Sequence, residues 1–349
     1  MLRLATKQTL NTMTMNTNIS LAARIAQCGL LLAASTLVAS DVEDRLTQSY
    51  QVKPGGKLAV EADRGSIEVK SADGDQVAIE VLRKVSRESR ARAEEVLKNH
   101  EVKFTQNGDT VQVRAELNSG WASNWRDKGR NLQVRYLISV PKKFNVDLKT
   151  AGGSIKVADL TGQARSQTSG GSLNFGQIEG PIFGRTSGGS ISVAGCKGDV
   201  DIKTSGGGIH LGDVEGNTSA QTSGGSLTVK RANGKTVVKT SGGNIDVVEV
   251  KGSLEAITSG GSITASVADQ PSGDCRLQTS GGTIKVSLSD KVAVDVDAKT
   301  SGGGVTTELP VAAVVQGAHK PNVLQGKING GGPILSLQTS GGGIFLQKR

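Results

Sequence analysis

Apolar and polar residues alternate with a two-residue beat along most of this chain, and the beat itself recurs. Counting from a repeated threonine as position 1, positions 6 and 8 hold Ile155 and Val157, Leu173 and Phe175, Ile191 and Val193, Ile209 and Leu211, Leu227 and Val229, and Ile245 and Val247. That alternation predicts short strands with one buried face. Position 11 is apolar again in Leu160, Ile178, Cys196, Val214 and Val250, and position 13 is glycine from Gly162 to Gly252. Positions 15 and 17, such as Val200 and Ile202, point inward and bring the next threonine onto the same parity. Each coil therefore reads as a short strand, a corner, one inward residue, a glycine corner, and a longer strand ending in threonine.

The tetrapeptide Thr-Ser-Gly-Gly fixes the frame. Its threonines Thr168, Thr186, Thr204, Thr222, Thr240 and Thr258 are 18 residues apart; Thr150 precedes them with Ala151 in the serine slot. Thr279 and Thr300 follow at intervals of 21, and Thr339 after 39. A fixed period of this size marks stacked units that cannot bury their apolar faces alone. The expected fold is all-β, a right-handed parallel β-helix (β-solenoid) with 18–21-residue rungs. Right-handedness follows from the strong bias of parallel crossovers. A left-handed hexapeptide coil needs an apolar residue every sixth position, but Ile155 is followed by Thr161 and Gln167.

A glycine at every corner implies a left-handed backbone or a close backbone approach. In the degenerate unit Ala62-Asp63-Arg64-Gly65-Ser66-Ile67, Arg64 replaces the first glycine and Gly65 keeps the second. Position 4 is therefore expected to be left-handed and position 3 to be glycine for stacking.

The ends depart from the period. Residues 1–40 read as a signal peptide, with Arg3, Lys7 and Arg24 before the apolar run Ile25–Val38 and Val38-Ala39-Ser40 as the cleavage site; Met13 or Met15 is an alternative start. The run is too short to span a bilayer comfortably, so the mature chain is expected to carry no transmembrane segment. Residues 41–149 read as an N-terminal capping region containing a first degenerate rung, and 150–349 as the solenoid with a C-terminal cap. Within the cap, Lys57–Ala62, Ser66–Lys70, Val77–Leu82, Val111–Ala115 and Leu132–Val140 alternate as strands. Arg87–Asn99 reads as the cap's one helix, with Ser86 as N-cap and Ala93, Val96 and Leu97 on one face. Leu309–Gly332 breaks the period and is expected beside the last coils. Lys348 and Arg349 after the strand 343–347 would discourage end-to-end growth.

Loss of the leader leaves 38 basic and 32 acidic residues, a net charge of +6 without a like-charge block. Nucleic-acid binding has little support in that balance. Aromatic residues make up 3% of the chain and glycine numbers 47, which suits a narrow interior. Cys196 and Cys275 fall about 19 Å apart along the stack, beyond disulfide reach, and are expected to be buried free thiols.

The sequence carries little catalytic chemistry. His100, His210 and His319 do not cluster, no Gly-x-Ser-x-Gly elbow occurs, and Gly234-Lys235-Thr236 lacks the first glycine and the helix of a phosphate loop. Asp199 with Asp201, and Asp295 with Asp297, share outward faces without a carboxylate column for calcium. Neither a catalytic nor a metal site, nor a cofactor, is expected. Two binding surfaces remain. One is the outward position-18 column, Gln167, Arg185, Lys203, Gln221 and Lys239, continued by Gln278, Lys299 and Gln338, which reads either as ordinary polar dressing or as a track for an extended polyanion or glycan. The other is the loop 118–130, where Trp121 and Trp125 stand near Arg126, Lys128 and Arg130. Those rings either contact sugar or plug the solenoid end.

The opening Val52-Lys53-Pro54-Gly55-Gly56-Lys57-Leu58, the Val140-Pro141 before the first full rung, the repeated Thr-Ser-Gly-Gly-Ser-Ile and the late Asn329-Gly330-Gly331-Gly332-Pro333 resemble the bacterial adhesin-like β-strand-repeat family, also described as an auto-transporter adhesin head domain. The resemblance covers nearly everything after the leader and implies an exported parallel β-solenoid with no established activity. The regular 18-residue spacing and the cap helix depart from it. The expectation is a monomeric, non-enzymatic protein of the periplasm, cell surface or medium, acting structurally or as an adhesin on a surface glycan or envelope protein. The alternative is a polysaccharide-binding or polysaccharide-lyase β-helix.

Overall fold

A computed structural model describes residues 41–118, 131–313 and 321–349. The leader, Trp121, Trp125 and His319 lie outside the described residues. Two long, largely parallel sheets face each other, each with 15 strands among the described residues. In the 18-residue rungs positions 6–11 build sheet A and positions 15–18 build sheet B.

The repeat frame holds residue by residue. Ile191 pairs with Ile209 and Val193 with Leu211, and the same register recurs at each 18-residue step. Position 6 forms a column from Ile155 through Ile191 and Ile209 to Ile344, with every member at most 1% exposed. The corner expected after position 8 is a bulge within a continuous strand. Pairing skips Ala194 and Gly212 and resumes at Gly195 with Asp213. A residue skipped in each rung lets positions 8 and 11, three apart, both face the core. In sheet B the strand is shorter than expected and stops before the threonine in most rungs, as in Val200–Lys203.

The threonines are buried and bind rung to rung. Thr204 Oγ1 donates to Gly189 O at 2.7 Å, and Thr222 Oγ1 to Gly207 O at 2.8 Å. The position-4 N–H of the same rung donates back to the hydroxyl, as Gly225 N does to Thr222 at 3.4 Å. The column starts at Thr150 on Gly65 and ends at Thr300 on Gly342. Each hydroxyl thus satisfies a carbonyl, and in most rungs an amide as well, at a corner where strand pairing has stopped.

Position-4 glycines are not left-handed. Positive φ occurs at Gly65 (99°) in the degenerate rung, but at none of the glycines from Gly153 to Gly282 in that slot. Their reason is stacking: a Cβ on Gly207 would lie 2.3 Å from Gly189 O, and one on Gly261 2.0 Å from Gly243 O. Position 3 has more room, with 3.2 Å from Gly206 to Gly188 O. The stacking constraint therefore falls on position 4 instead of position 3, and neither glycine is left-handed in the strict rungs.

At the N-terminal end the strands are β1 (Val42–Gln51), β2 (Lys57–Ala62), β3 (Ser66–Ala72) and β4 (Gln76–Val85). Helix α1 (Arg90–Asn99) precedes β5 (His100–Asn107), β6 (Thr110–Leu117), β7 (Leu132–Pro141) and β8 (Asn145–Thr150). β2 and β3 form the degenerate rung, stacked directly on β8 and on Ile155–Val157. β6 and β7 lie beneath it in parallel, and antiparallel β4, β1 and β5 close the end. α1 begins three residues later than expected. Arg87 has φ 61°, and Ser89 is the cap, accepting from Arg92 N at 3.4 Å. Ala93 and Val96 are buried.

The C-terminal order differs from the sequence order. The last rung, Ile334–Thr339 with Ile344–Lys348, is inserted between the rungs 275–288 and 294–307 in both sheets. The strand Val294–Thr300 is closed on its outer side by antiparallel Val323–Ile328. The outer positions go to Val323–Ile328 with Ala312–Ala313 in one sheet and to Val305–Thr307 in the other, so the last rung in sequence fills an interior place. Lys348 and Arg349 therefore do not guard the stack's end.

Candidate functional site

Strand alternation in sheet B leaves two outward columns, at positions 16 and 18. Position 18 runs Lys149, Gln167, Arg185, Lys203, Gln221, Lys239, then Ile257, Gln278, Gln338 and Lys299. The inserted rung places Gln338 before Lys299, and Ile257 interrupts the polar row. Parallel pairing sets neighbours about 4.8 Å apart.

Position 16 supplies the counter-charges. Arg185 Nη2 meets Asp201 Oδ2 at 2.6 Å, Lys239 Nζ meets Glu255 Oε1 at 2.8 Å, and Lys299 Nζ meets Asp297 Oδ1 at 2.9 Å. These pairs are solvated and stabilise the fold little, about 0–1 kcal/mol each. Their consequence is electrostatic: they neutralise three of the four cations singled out in the column. Lys203 and Lys149 are exposed and form no ion pair among the described residues. Arg165 lies 4.6 Å above the Phe183 ring in the neighbouring rung. Sheet A follows the same rule, with Arg231 bridging Asp213 at 2.7 Å and Glu249 at 3.1 Å.

Among the described residues no nucleophile is joined to a base. Ser192, His210 and Thr228 are register neighbours on sheet A, but no hydrogen bond links the imidazole to either hydroxyl. Both described cysteines of the rungs are buried and unpaired. Burial pushes the Cys196 thiol up to about 11 and raises Cys275 as well, so neither is a thiolate at neutral pH. Among the described residues no group of three or more His, Cys, Asp and Glu is placed to hold a metal.

One polar cluster lies at the cap, and no motif announced it. His100 is 1% exposed, and its Nε2 sits 3.5 Å from Asp63 Oδ1. Asp63 Oδ2 accepts from Leu117 N at 3.3 Å and from Arg64 Nε at 3.3 Å. Arg83 Nη1 donates to the carbonyls of Leu97 and His100 at 3.0 and 2.7 Å, and its Nε reaches Asp44 at 2.9 Å. The Tyr136 hydroxyl is buried without a hydrogen-bond partner, and burial, then the Asp63 charge, pushes its pKa up and keeps it protonated. The cluster ties α1, the β5–β6 hairpin and the degenerate rung together. His100 and Asp63 are 37 residues apart, and only the strand order brings them together.

Burial pulls the Asp63 carboxyl upward, and His100 and Arg64 outweigh it, leaving the group below its ordinary value. A lowered folded-state value means stability that is complete above the unfolded carboxylate range and lost as pH falls through the folded value. Thermal midpoints of the parent and Asp63→Asn should therefore differ at pH 5–7 and converge below about pH 4. Parallel pH profiles would remove Asp63 from the account.

The family pattern of Toastrack DUF4097 matches residues 55–347. The chain belongs to the Toastrack DUF4097 family. Among solved structures, this Toastrack chain is similar to a proposed adhesin from Parabacteroides merdae at 10% identity, covering 87% of this chain and 96% of that one, with a TM-score of 0.36. A proposed adhesin from Parabacteroides distasonis matches at 9% identity over 88% and 97%, with a TM-score of 0.29. A proposed cell adhesion protein from Clostridium sporogenes matches at 14% over 88% and 100%, with a TM-score of 0.20. No curated protein matches the chain. Among the described residues, no helix is long and apolar enough to cross a membrane.

Proposed function

We propose that this Toastrack protein is exported and non-enzymatic, and that it acts at the cell envelope as an adhesin-like or structural β-solenoid. Its contact surface is the outer face of sheet B. The observation that carries this reading is the column itself: ammonium and amide donors recur at strand spacing on a face where Arg185, Lys239 and Lys299 are paired with acids while Lys149 and Lys203 are not. Lys149, Gln167, Lys203 and Gln221 suit an extended acidic polysaccharide, held by many weak contacts rather than by one pocket. Trp121 and Trp125 remain candidates for added contact. The basic, then apolar, leader supports export.

Fractionation of cells making the tagged full-length chain should place it in the envelope or medium. The mature protein should be retained on an immobilised acidic polysaccharide without turnover, and salt should weaken the retention. Lys149→Gln with Lys203→Gln should reduce retention several-fold, while Arg185→Gln, whose partner is Asp201, should change it less. A cytoplasmic location would overturn the reading. So would polysaccharide cleavage abolished by one substitution, which favours the lyase alternative.

A further inference from the structure

We propose that residues 333–349 are exchangeable between copies. The C-terminal rung of a second copy of this chain can occupy the slot between rungs 275–288 and 294–307, giving a strand-exchanged dimer. The inference does not rest on the adhesin reading.

The topology makes exchange possible. Among the described residues the inserted segment has a single connection to the other rungs, the turn at 329–332, so it can leave the slot as one unit. Every contact it makes is available from another copy: Cys275–Gln278 and Ile284–Leu288 on one side, and Asp295–Thr300 with Val305–Thr307 on the other. The slot fits a rung of this repeat frame. Thr339 Oγ1 donates downward to Gly282 O at 2.8 Å, and Thr300 Oγ1 donates into it at Gly342 O at 2.7 Å. Leu335, Leu337, Ile344 and Leu346 fill the interior at no more than 1% exposure. With the rung withdrawn, four strand edges and an apolar layer would be bare, a state that strand pairing relieves.

What holds the rung to its own chain is one tight return. Asn329, Gly330 and Gly331 have φ of 50°, 91° and 88° in succession. Asn329 Nδ2 donates to Asp290 O at 3.0 Å and to Val292 O at 2.8 Å, pinning the turn. Extending this hinge releases a non-glycine residue from the left-handed region while every rung contact is rebuilt in the partner. A short, strained hinge is the feature that favours exchange. A side chain at Gly331 is strained in the returned form, because φ there is 88° and its Cβ would also displace the Asp295 carboxylate, 2.3 Å away.

The native cysteine gives a direct readout. Leu335 is the register partner of Cys275, both are buried, and the strand spacing of about 4.8 Å lies within disulfide range. Full-length Leu335→Cys is incubated at several concentrations, oxidised, and resolved by non-reducing denaturing electrophoresis with peptide mapping. The expected result is a 275–335 bond within one chain at low concentration and an increasing interchain share at high concentration. Adding Gly331→Val should raise the interchain share several-fold. Should that variant fail to fold, the concentration series of Leu335→Cys alone still decides. Only intrachain bonds at every concentration would overturn exchange, and absence of the 275–335 bond would overturn the insertion itself.

Discussion

Gly207→Ala should destabilise the protein by about 3 kcal/mol or more, whereas Gly206→Ala should cost about 1 kcal/mol or less. The two glycines are adjacent in one corner of one rung, so composition and exposure do not separate them. The rung below does. A methyl on Gly207 meets Gly189 O at 2.3 Å, its carbonyl carbon at 2.4 Å and Ser190 N at 2.5 Å, all backbone atoms that cannot swing away. Relief requires parting two rungs, which stretches the Thr204–Gly189 bond of 2.7 Å and then the strand pairs beside it. On Gly206 the nearest atom is Gly188 O at 3.2 Å, a crowding of a few tenths of an ångström. Urea unfolding of the two variants measures the difference, and equal losses would mean that the corner opens more easily than the backbone contacts imply.

The same corner shows what was readable from sequence and what was not. Column membership was fully legible, because Ile191 and Ile209 differ by one period, and identical local patterns can pair in only one register if Thr204 and Thr222 are to stay inward. That the two glycines of a corner play different parts was legible too, but not which of them the stacking constrains. The degenerate rung has a left-handed Gly65, and the strict rungs replace that device by stacking one glycine on another. The bulge at Ala194 and Gly212 was hidden because a skipped residue and a corner produce the same spacing of inward positions. Of the candidate column, the residue types were visible, but the neutralisation was not. Asp201 precedes Arg185's register partner by two residues, and only the stacking turns that offset into a 2.6 Å contact. β1 went unnoticed for a simpler reason. Its alternate residues Val42, Asp44, Leu46, Gln48 and Tyr50 mix apolar and polar groups on one face, as an edge strand with a half-solvated side permits.

Rung order at the C-terminus is the point on which repeat logic alone goes astray, and one comparison decides it. Ile344 and Val305 are direct register partners in the same inward column. Sequential stacking would put Val305 inside and Ile344 at the end. In the inserted order Ile344 is fully buried between Ile284 and Val305, and Val305, in the outermost rung, is only partly covered. An aspartate at 344 becomes an unpaired charge with no route to water, so Ile344→Asp should cost about 3–5 kcal/mol. At 305 the carboxylate can turn toward the open end, and Val305→Asp should cost about 1 kcal/mol. Hydrogen exchange localises the damage: Ile344→Asp should strip protection from amides 294–307 and 323–328, which lose their link to the stack, while the Thr168–Thr258 rungs keep theirs. A larger loss for Val305→Asp than for Ile344→Asp would restore the sequential order, and the exchangeable slot would then not exist.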